Sequence, residues 1–209
     1  MKRLLYEHKI MGTNPIWISA SFVAVLALLA FFGGDLLDLS CIGFEVVIPF
    51  FAAIAVGEWG KTRADANFDI IASQGESLFT WVSARFAAVF STISIFAFAG
   101  MVIVSFARNE IPLGEMVLIY LAPAFFLSTI SVLCGLCFSQ EHIATLISGI
   151  IWLLAMLTRS LLRFHGVEYI YPFIRYAGDQ NGIWLTNKAA LLALSLVLWA
   201  VIWLLCKKR

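Results

Sequence analysis

The residues of this chain that could do chemistry are few, and most lie beside long apolar stretches. Arg159 and Arg163 are four residues apart, which places them on one face of a helix, and Glu168 and Asp179 follow them. These side chains could pair with one another or bind lipid headgroups. Together with His165 they could also form the polar site of an enzyme that acts on phosphate-bearing lipids. The alternative is a pair of arginines that snorkel at the end of a membrane span.

Glu45 lies in an apolar stretch of its own, at about Ile42–Val56. A carboxylate inside a membrane is costly unless it is paired, protonated or in contact with water, so Glu45 is a candidate intramembrane functional residue. We favour a different interpretation, in which the span begins after Glu45 and leaves this side chain at the outer interface.

The remaining reactive side chains do not form a recognisable site. Cys134-x-x-Cys137 lies in an apolar helix without matching His or Cys residues, which favours a packing role. His142 follows Glu141, but no H-E-x-x-H sequence of a zinc protease occurs. The sequence also has no G-x-x-x-x-G-K-[ST] loop, so we expect no ATP binding on this chain. We also expect no metal and no catalytic residue, because these cysteines and histidines have no matching ligands.

Composition places the chain in the membrane. It has 209 residues, of which 62% are apolar and only 13% charged, which is typical of an integral membrane protein. A net charge of +1 gives no reason to expect nucleic-acid binding. About 20 apolar residues cross a bilayer, and on this criterion we predict a single all-α transmembrane domain over residues 1–209. Its six predicted spans are Ile16–Phe32, Ile42–Val56, Leu78–Phe106, Met116–Phe138, Ile143–Leu162 and Ala189–Cys206.

Three polar intervals of the sequence, at residues 1–15, 57–77 and 164–188, differ from the short connections between the other spans. Residues 1–15 mix charged and apolar side chains, which predicts a short interfacial helix. The longest interval, residues 57–77, contains a short amphipathic run and is expected to form a helix on the membrane surface. Residues 164–188 are aromatic, partly polar and interrupted by glycines. More basic residues lie on the side of the termini than on the other side, which places both termini and residues 57–77 in the cytoplasm.

The long interval carries a family resemblance. Glu58, Gly60-Lys61-Thr62, the run Phe68–Ser73 and Arg85 resemble the membrane subunit of an ATP-binding-cassette exporter of the type-2 permease family. Such permeases often have a proline just after the serine of this turn, whereas this chain has Gln74-Gly75.

The resemblance implies a coupling helix within residues 57–77 that docks on a separate ATPase subunit. The residues that would couple to the ATPase are Glu58, Lys61, Arg63, Asp65, Phe68, Asp69, Ile71 and Arg85. Residues 164–188 would form an outer re-entrant helical hairpin. The outer gate or re-entrant residues would then be Arg159, Arg163, Glu168, Tyr171 and Asp179.

The resemblance also implies the partners. ATP and Mg²⁺ would be bound by the ATPase subunits, and a second permease copy or a sister permease would complete the oligomer in a bacterial inner membrane. The apolar, aromatic-rich spans themselves suggest an amphipathic or hydrophobic cargo, such as a peptide, a drug or a lipid-linked molecule. Two alternatives remain, a membrane-embedded lipid-modifying enzyme and a secondary transporter. The latter would need intramembrane acids or interrupted helices, and only Glu45 qualifies.

Overall fold

The structure, a computed structural model, describes residues 14–57, 77–107, 112–138, 142–163, 166–175 and 182–207. The predicted interfacial helix at residues 1–15 and the predicted coupling segment at residues 57–77 therefore lie almost entirely outside the described residues. The same holds for residues 176–181 of the predicted re-entrant segment.

The described part of the chain is all-helical and contains six apolar helices in the predicted order. Their bounds are Asn14–Phe32 (α1), Asp35–Gly57 (α2), Leu78–Ala107 (α3), Leu113–Cys137 (α4), Ile143–Leu157 (α5) and Trp184–Lys207 (α6). Four of them, α2, α3, α4 and α6, are long and apolar enough to cross a membrane, whereas α1 and α5 contain shorter apolar runs. The chain is a multi-pass membrane protein.

Three predicted helix boundaries are wrong. The second helix begins at Asp35 instead of Ile42, and the sixth begins at Trp184 instead of Ala189. The α-helical part of the fifth ends at Leu157 instead of Leu162. The predicted bounds of these spans were set by nearby charged residues. However, Asp35 lies in the first turn of α2, where a negative charge is favourable. Helices can therefore extend past the apolar run that identifies them.

The helix α4 lies at the centre of the bundle, in contact with α2, α3, α5 and α6. An aromatic cluster fills the space between α3, α4 and α6. The ring of Phe86 meets Phe125 edge-on at 5.5 Å and Trp199 edge-on at 4.9 Å, and it stacks on Phe90 at 5.1 Å. Such offset and edge-on contacts are the favoured arrangement of aromatic rings and add to the free energy of burial.

The two ends of the bundle differ. At one end a Cβ at Gly57 of α2 would overlap the hydroxyl of Ser131 on α4 and meet Ala144 of α5, so these helices approach closely there. The same end has a small apolar cavity lined by Leu78, Leu136, Cys137, Leu205 and Cys206, where the start of α3 meets the ends of α4 and α6. The opposite end carries the tight turn between α1 and α2, where Gly33 and Gly34 both have positive φ. It also carries the connection between α5 and α6.

The connection between α5 and α6 is irregular but folded into the bundle. A 3-10 helix at Arg159–Arg163 extends α5, and a second one covers Val167–Tyr169 after Gly166, which has φ 97°. Residues 171–174 then follow without regular structure, and all four are buried. We call residues 166–175 the connecting segment. Its described backbone forms one 3-10 turn and no α-helix, so the predicted pair of re-entrant helices is not present in this part.

A buried charge cluster at the connecting segment

The centre of the candidate site is an ion pair between α2 and α6. Lys188 Nζ donates a hydrogen bond of 2.6 Å to Glu45 Oε1, and the two side chains are 1% and 0% exposed. The span was expected to begin after Glu45, and this expectation is wrong, because the helix begins at Asp35. The carboxylate is fully buried within the protein. A charge-assisted bond of this length offsets part of the cost of removing both groups from water.

The ion pair also binds the backbone of the connecting segment. The Arg175 backbone N–H donates to Glu45 Oε1 at 3.0 Å, and Lys188 Nζ donates to the Pro172 carbonyl at 2.9 Å. Irregular backbone leaves N–H and C=O groups without the partners of a helix, and these groups are costly to bury unpaired. Glu45 and Lys188 supply two of the missing partners.

Asn187 supplies two more. Its Nδ2 donates to the carbonyls of Glu168 at 2.7 Å and Tyr171 at 2.9 Å, and the residue is fully buried. Asn187 and Lys188 are consecutive residues in the first turns of α6. Between them they hold the carbonyls of three residues of the connecting segment.

The cluster continues towards the surface through Arg175. Its Nε donates to Glu115 Oε1 of α4 at 2.7 Å, and its guanidinium lies over the ring of Trp184 with 5.4 Å to the centroid. The Arg175 and Glu115 side chains are 32% and 19% exposed. Partial exposure weakens such a pair, so we expect it to stabilise the segment less than the buried pair does.

The fifth helix is tied to the same site by two aromatic residues. The Tyr171 hydroxyl donates to the Ala155 carbonyl at 2.6 Å, and Trp152 Nε1 donates to the Val46 carbonyl at 3.2 Å. Burial raises the pKa of the Tyr171 hydroxyl above its ordinary value, an effect that Arg159 opposes and Glu45 reinforces. The hydroxyl therefore remains a donor at physiological pH.

A local irregularity of α2 presents both Glu45 and Val46 to their partners. Residues Gly43–Val47 form a π-helical turn inside the otherwise α-helical Asp35–Gly57. A π-helical turn shifts backbone carbonyls out of the regular pattern, and such turns are frequent at functional sites. Here the Val46 carbonyl accepts a bond from another helix, and the next turn of α2 stacks Phe50 on Trp152 at 4.7 Å.

The residues predicted for the outer gate are only partly brought together. Tyr171 is buried at the charge cluster, and Glu168 contributes its backbone carbonyl to Asn187. Arg159 is exposed on the 3-10 helix that it shares with Arg163, whose side chain is not described. Asp179 and His165 lie outside the described residues.

Most residues predicted to couple to an ATPase also lie outside the described part of the chain, namely Glu58, Lys61, Arg63, Asp65, Phe68, Asp69 and Ile71. Arg85 is described and is only 2% exposed on α3. A soluble partner cannot touch its side chain directly in this conformation, so any effect of Arg85 on coupling would be indirect.

Sequence reasoning missed Lys188, Asn187, Arg175 and Glu115 as site residues. One signal was present, because a lone acid such as Glu45 in an apolar stretch requires a cation. Lys188 was instead counted as a flanking residue outside the sixth span. Asn187 and Glu115 gave no signal, since single polar residues near helix ends are common.

The polar groups of the described residues mainly stabilise the fold. Within the described ranges, no group of three or more His, Cys, Asp or Glu residues could hold a metal ion. All four cysteines are free, and Cys41 and Cys206 are buried as expected for packing residues, whereas Cys137 is exposed. The cluster holds an irregular segment inside a bundle of apolar helices. Comparisons of the chain with protein-family models, with curated proteins and with solved structures gave no match.

Proposed function

We propose that this chain is the membrane-spanning subunit of an ATP-driven exporter, coupled to separate ATP-binding-cassette ATPase subunits. A second copy of the chain or a sister permease would complete the translocation path. The observation that carries the proposal is the position of the connecting segment. It is folded into one end of the bundle, while the longest polar interval of the sequence joins α2 and α3 at the opposite end.

This arrangement suits a permease driven from one side. The polar interval 58–76 leaves α2 directly after Gly57, so a soluble protein bound there would act on the end of a membrane-spanning helix. The other half of the same helix carries Glu45, which binds the connecting segment. In the proposal the ATPase binds Mg²⁺ and hydrolyses ATP, and this chain contributes conformational change alone.

The cargo proposed here is amphipathic or hydrophobic. Its support is an exposed apolar face of α1, formed by Trp17, Ile18, Phe22 and Val25. A membrane-active peptide, a drug or a lipid-linked molecule could bind such a face from the bilayer.

The test is purification of the tagged chain from its own cells in a mild detergent. We expect a stoichiometric soluble ATPase to co-purify, and Phe68→Ala or Asp69→Ala to remove it. The control variant is Ile95→Ala, because Ile95 is an exposed apolar residue in the middle of α3 and should not affect docking. Transport of a cargo by the purified chain without any nucleotide-consuming partner would refute the proposal.

A secondary transporter is the second candidate, and one observation favours it. The Glu45–Lys188 pair is a buried pair of charges in a membrane-spanning helix that contains a π-helical turn, and charged residues inside spans often mark ion pathways. In proteoliposomes such a carrier would transport in response to an ion gradient, and the removal of ATPase subunits would have no effect. The ATP-driven exporter would show the opposite dependence.

A further inference from the structure

The connecting segment is held in the bundle by contacts that meet at one carboxylate oxygen. Glu45 Oε1 accepts both from Lys188 Nζ of α6 and from the Arg175 backbone N–H of the segment itself. Lys188 in turn holds the Pro172 carbonyl. Withdrawal of Glu45 would therefore remove a partner from α6 and from the segment in one step.

Two properties of the pair make its opening an all-or-none event. Both side chains are at most 1% exposed, so neither charge has water to replace its partner while the site stays closed. A single buried charge without its partner is strongly unfavourable. The pair is thus stable either closed and dry or fully separated and hydrated, and the hydrated state requires the segment to leave.

The helix α2 connects this pair to the other end of the bundle. It runs from Asp35 to Gly57 as one uninterrupted helical element, with Glu45 near its middle and the polar interval 58–76 directly after its end. The π-helical turn Gly43–Val47 includes Glu45 itself. A displacement of the Gly57 end would be transmitted along the helix to the carboxylate.

We propose that the Glu45–Lys188 pair is a latch that keeps the connecting segment closed, and that movement of α2 opens it. When α2 moves, the carboxylate separates from Lys188 and from the Arg175 N–H, and residues 171–175 swing out of the bundle to open the path at this end. The latch stands on the contacts described above. Its operation by an ATPase rests on the proposed function.

The first experiment measures access to the buried segment. Ile174 is 2% exposed, so a thiol introduced by Ile174→Cys, with the four native cysteines replaced by alanine, reports opening. The protein is placed in nanodiscs, which expose both faces, and its reaction with a charged maleimide is timed. We expect Lys188→Met to speed this reaction by about tenfold or more, because labelling follows the open fraction. Lys188→Arg should keep it slow, because it keeps the positive charge.

Two controls separate release of the segment from general unfolding. A thiol introduced by Ile202→Cys, at a position on α6 that is 0% exposed, should stay unreactive in the Lys188→Met protein. The matched substitution Ser195→Ala removes a buried hydroxyl of α6 that bonds only within its own helix, and it should leave labelling of the Ile174→Cys thiol slow. If Lys188→Met prevents folding, the double variant Glu45→Gln/Lys188→Met replaces it, because it removes the ion pair without leaving a buried charge.

The outcomes that overturn the latch are specific. Equal labelling of the Ile174→Cys thiol with and without the Glu45–Lys188 pair would show that this pair does not hold the segment. Faster labelling at both introduced thiols would show a loss of folding without a latch. These measurements need no ATPase, so the latch can fail while co-purification of an ATPase succeeds, and the reverse. In the Ile174→Cys protein that keeps both Glu45 and Lys188, addition of the ATPase and ATP should speed labelling only if movement of α2 opens the latch.

Discussion

Lys188 Nζ lies 2.6 Å from Glu45 Oε1 although 143 residues separate the two in the chain. The bond joins the middle of α2 to the second turn of α6. It also lies where the irregular segment between α5 and α6 passes through the bundle. Four of the six helices, α2, α4, α5 and α6, contribute a hydrogen bond to this segment.

The buried pair should behave as a unit in stability measurements. Lys188→Met or Glu45→Gln alone should lower the free energy of unfolding, with about 3–5 kcal/mol expected for Lys188→Met because it leaves a buried charge without its partner. The double variant should be closer to the wild type than Lys188→Met is. Thermal unfolding in detergent gives the comparison, and strictly additive effects of the two substitutions would contradict it.

Gly100 marks a close contact that has no room for a side chain. A Cβ at this position of α3 would overlap Val23 of α1 and lie 3.1 Å from Phe44 Cζ of α2. Because the valine side chain is stiff in a helix, Gly100→Ala should destabilise the protein by about 1–3 kcal/mol.

Gly114→Ala is the matched control for that substitution, since a Cβ there meets nothing within 4 Å. It should change the free energy of unfolding by less than about 1 kcal/mol. Val23→Ala should rescue Gly100→Ala in part. Equal effects of the two glycine substitutions would show that helix propensity, and not the contact with Val23, determines the change in the free energy of unfolding.

Trp152→Phe tests the bond to the π-helical turn. The substitution removes the donor to the Val46 carbonyl but keeps an aromatic ring for stacking on Phe50. We expect a loss of about 1 kcal/mol in unfolding free energy, the usual net contribution of one hydrogen bond. Trp203→Phe is the control, because Trp203 is exposed and lies near the C-terminal end of α6. No difference between the two variants would mean that the Val46 bond does not stabilise the fold.

Ionisation of Tyr171 should make the stability of the protein fall at alkaline pH. Burial raises the pKa of its hydroxyl, so the folded state favours the protonated form that donates to the Ala155 carbonyl. The contribution to stability is therefore complete below the ordinary tyrosine pKa of about 10, and it is lost as the pH rises through the higher value of the folded protein.

Tyr171→Phe should remove this alkaline dependence and lower stability at neutral pH by about 1–3 kcal/mol, because the Ala155 carbonyl loses its donor. Unfolding of both proteins between neutral and strongly alkaline pH measures the difference. The exposed Tyr169 provides the control variant Tyr169→Phe. Identical pH profiles for Tyr171→Phe and the wild type would contradict the assignment.

The positions of the helices follow from the amino-acid sequence alone. Each of the six predicted spans overlaps an observed apolar helix, because the length of an apolar run is a local property that needs no knowledge of the fold. The helix ends were predicted less well at α2, α5 and α6. Charged residues there, such as Lys188, are accommodated by partners that are distant in the chain.

The contacts of Glu45, in contrast, depend on the three-dimensional fold. Its helix starts before it, its partner comes from the last helix, and its second donor is a backbone group of a segment with no helical periodicity. The pattern of apolar residues along the sequence does not indicate which distant polar groups come into contact. In an apolar bundle, burial forces the few polar groups to satisfy one another, and the packing of α2, α4, α5 and α6 determines which ones do.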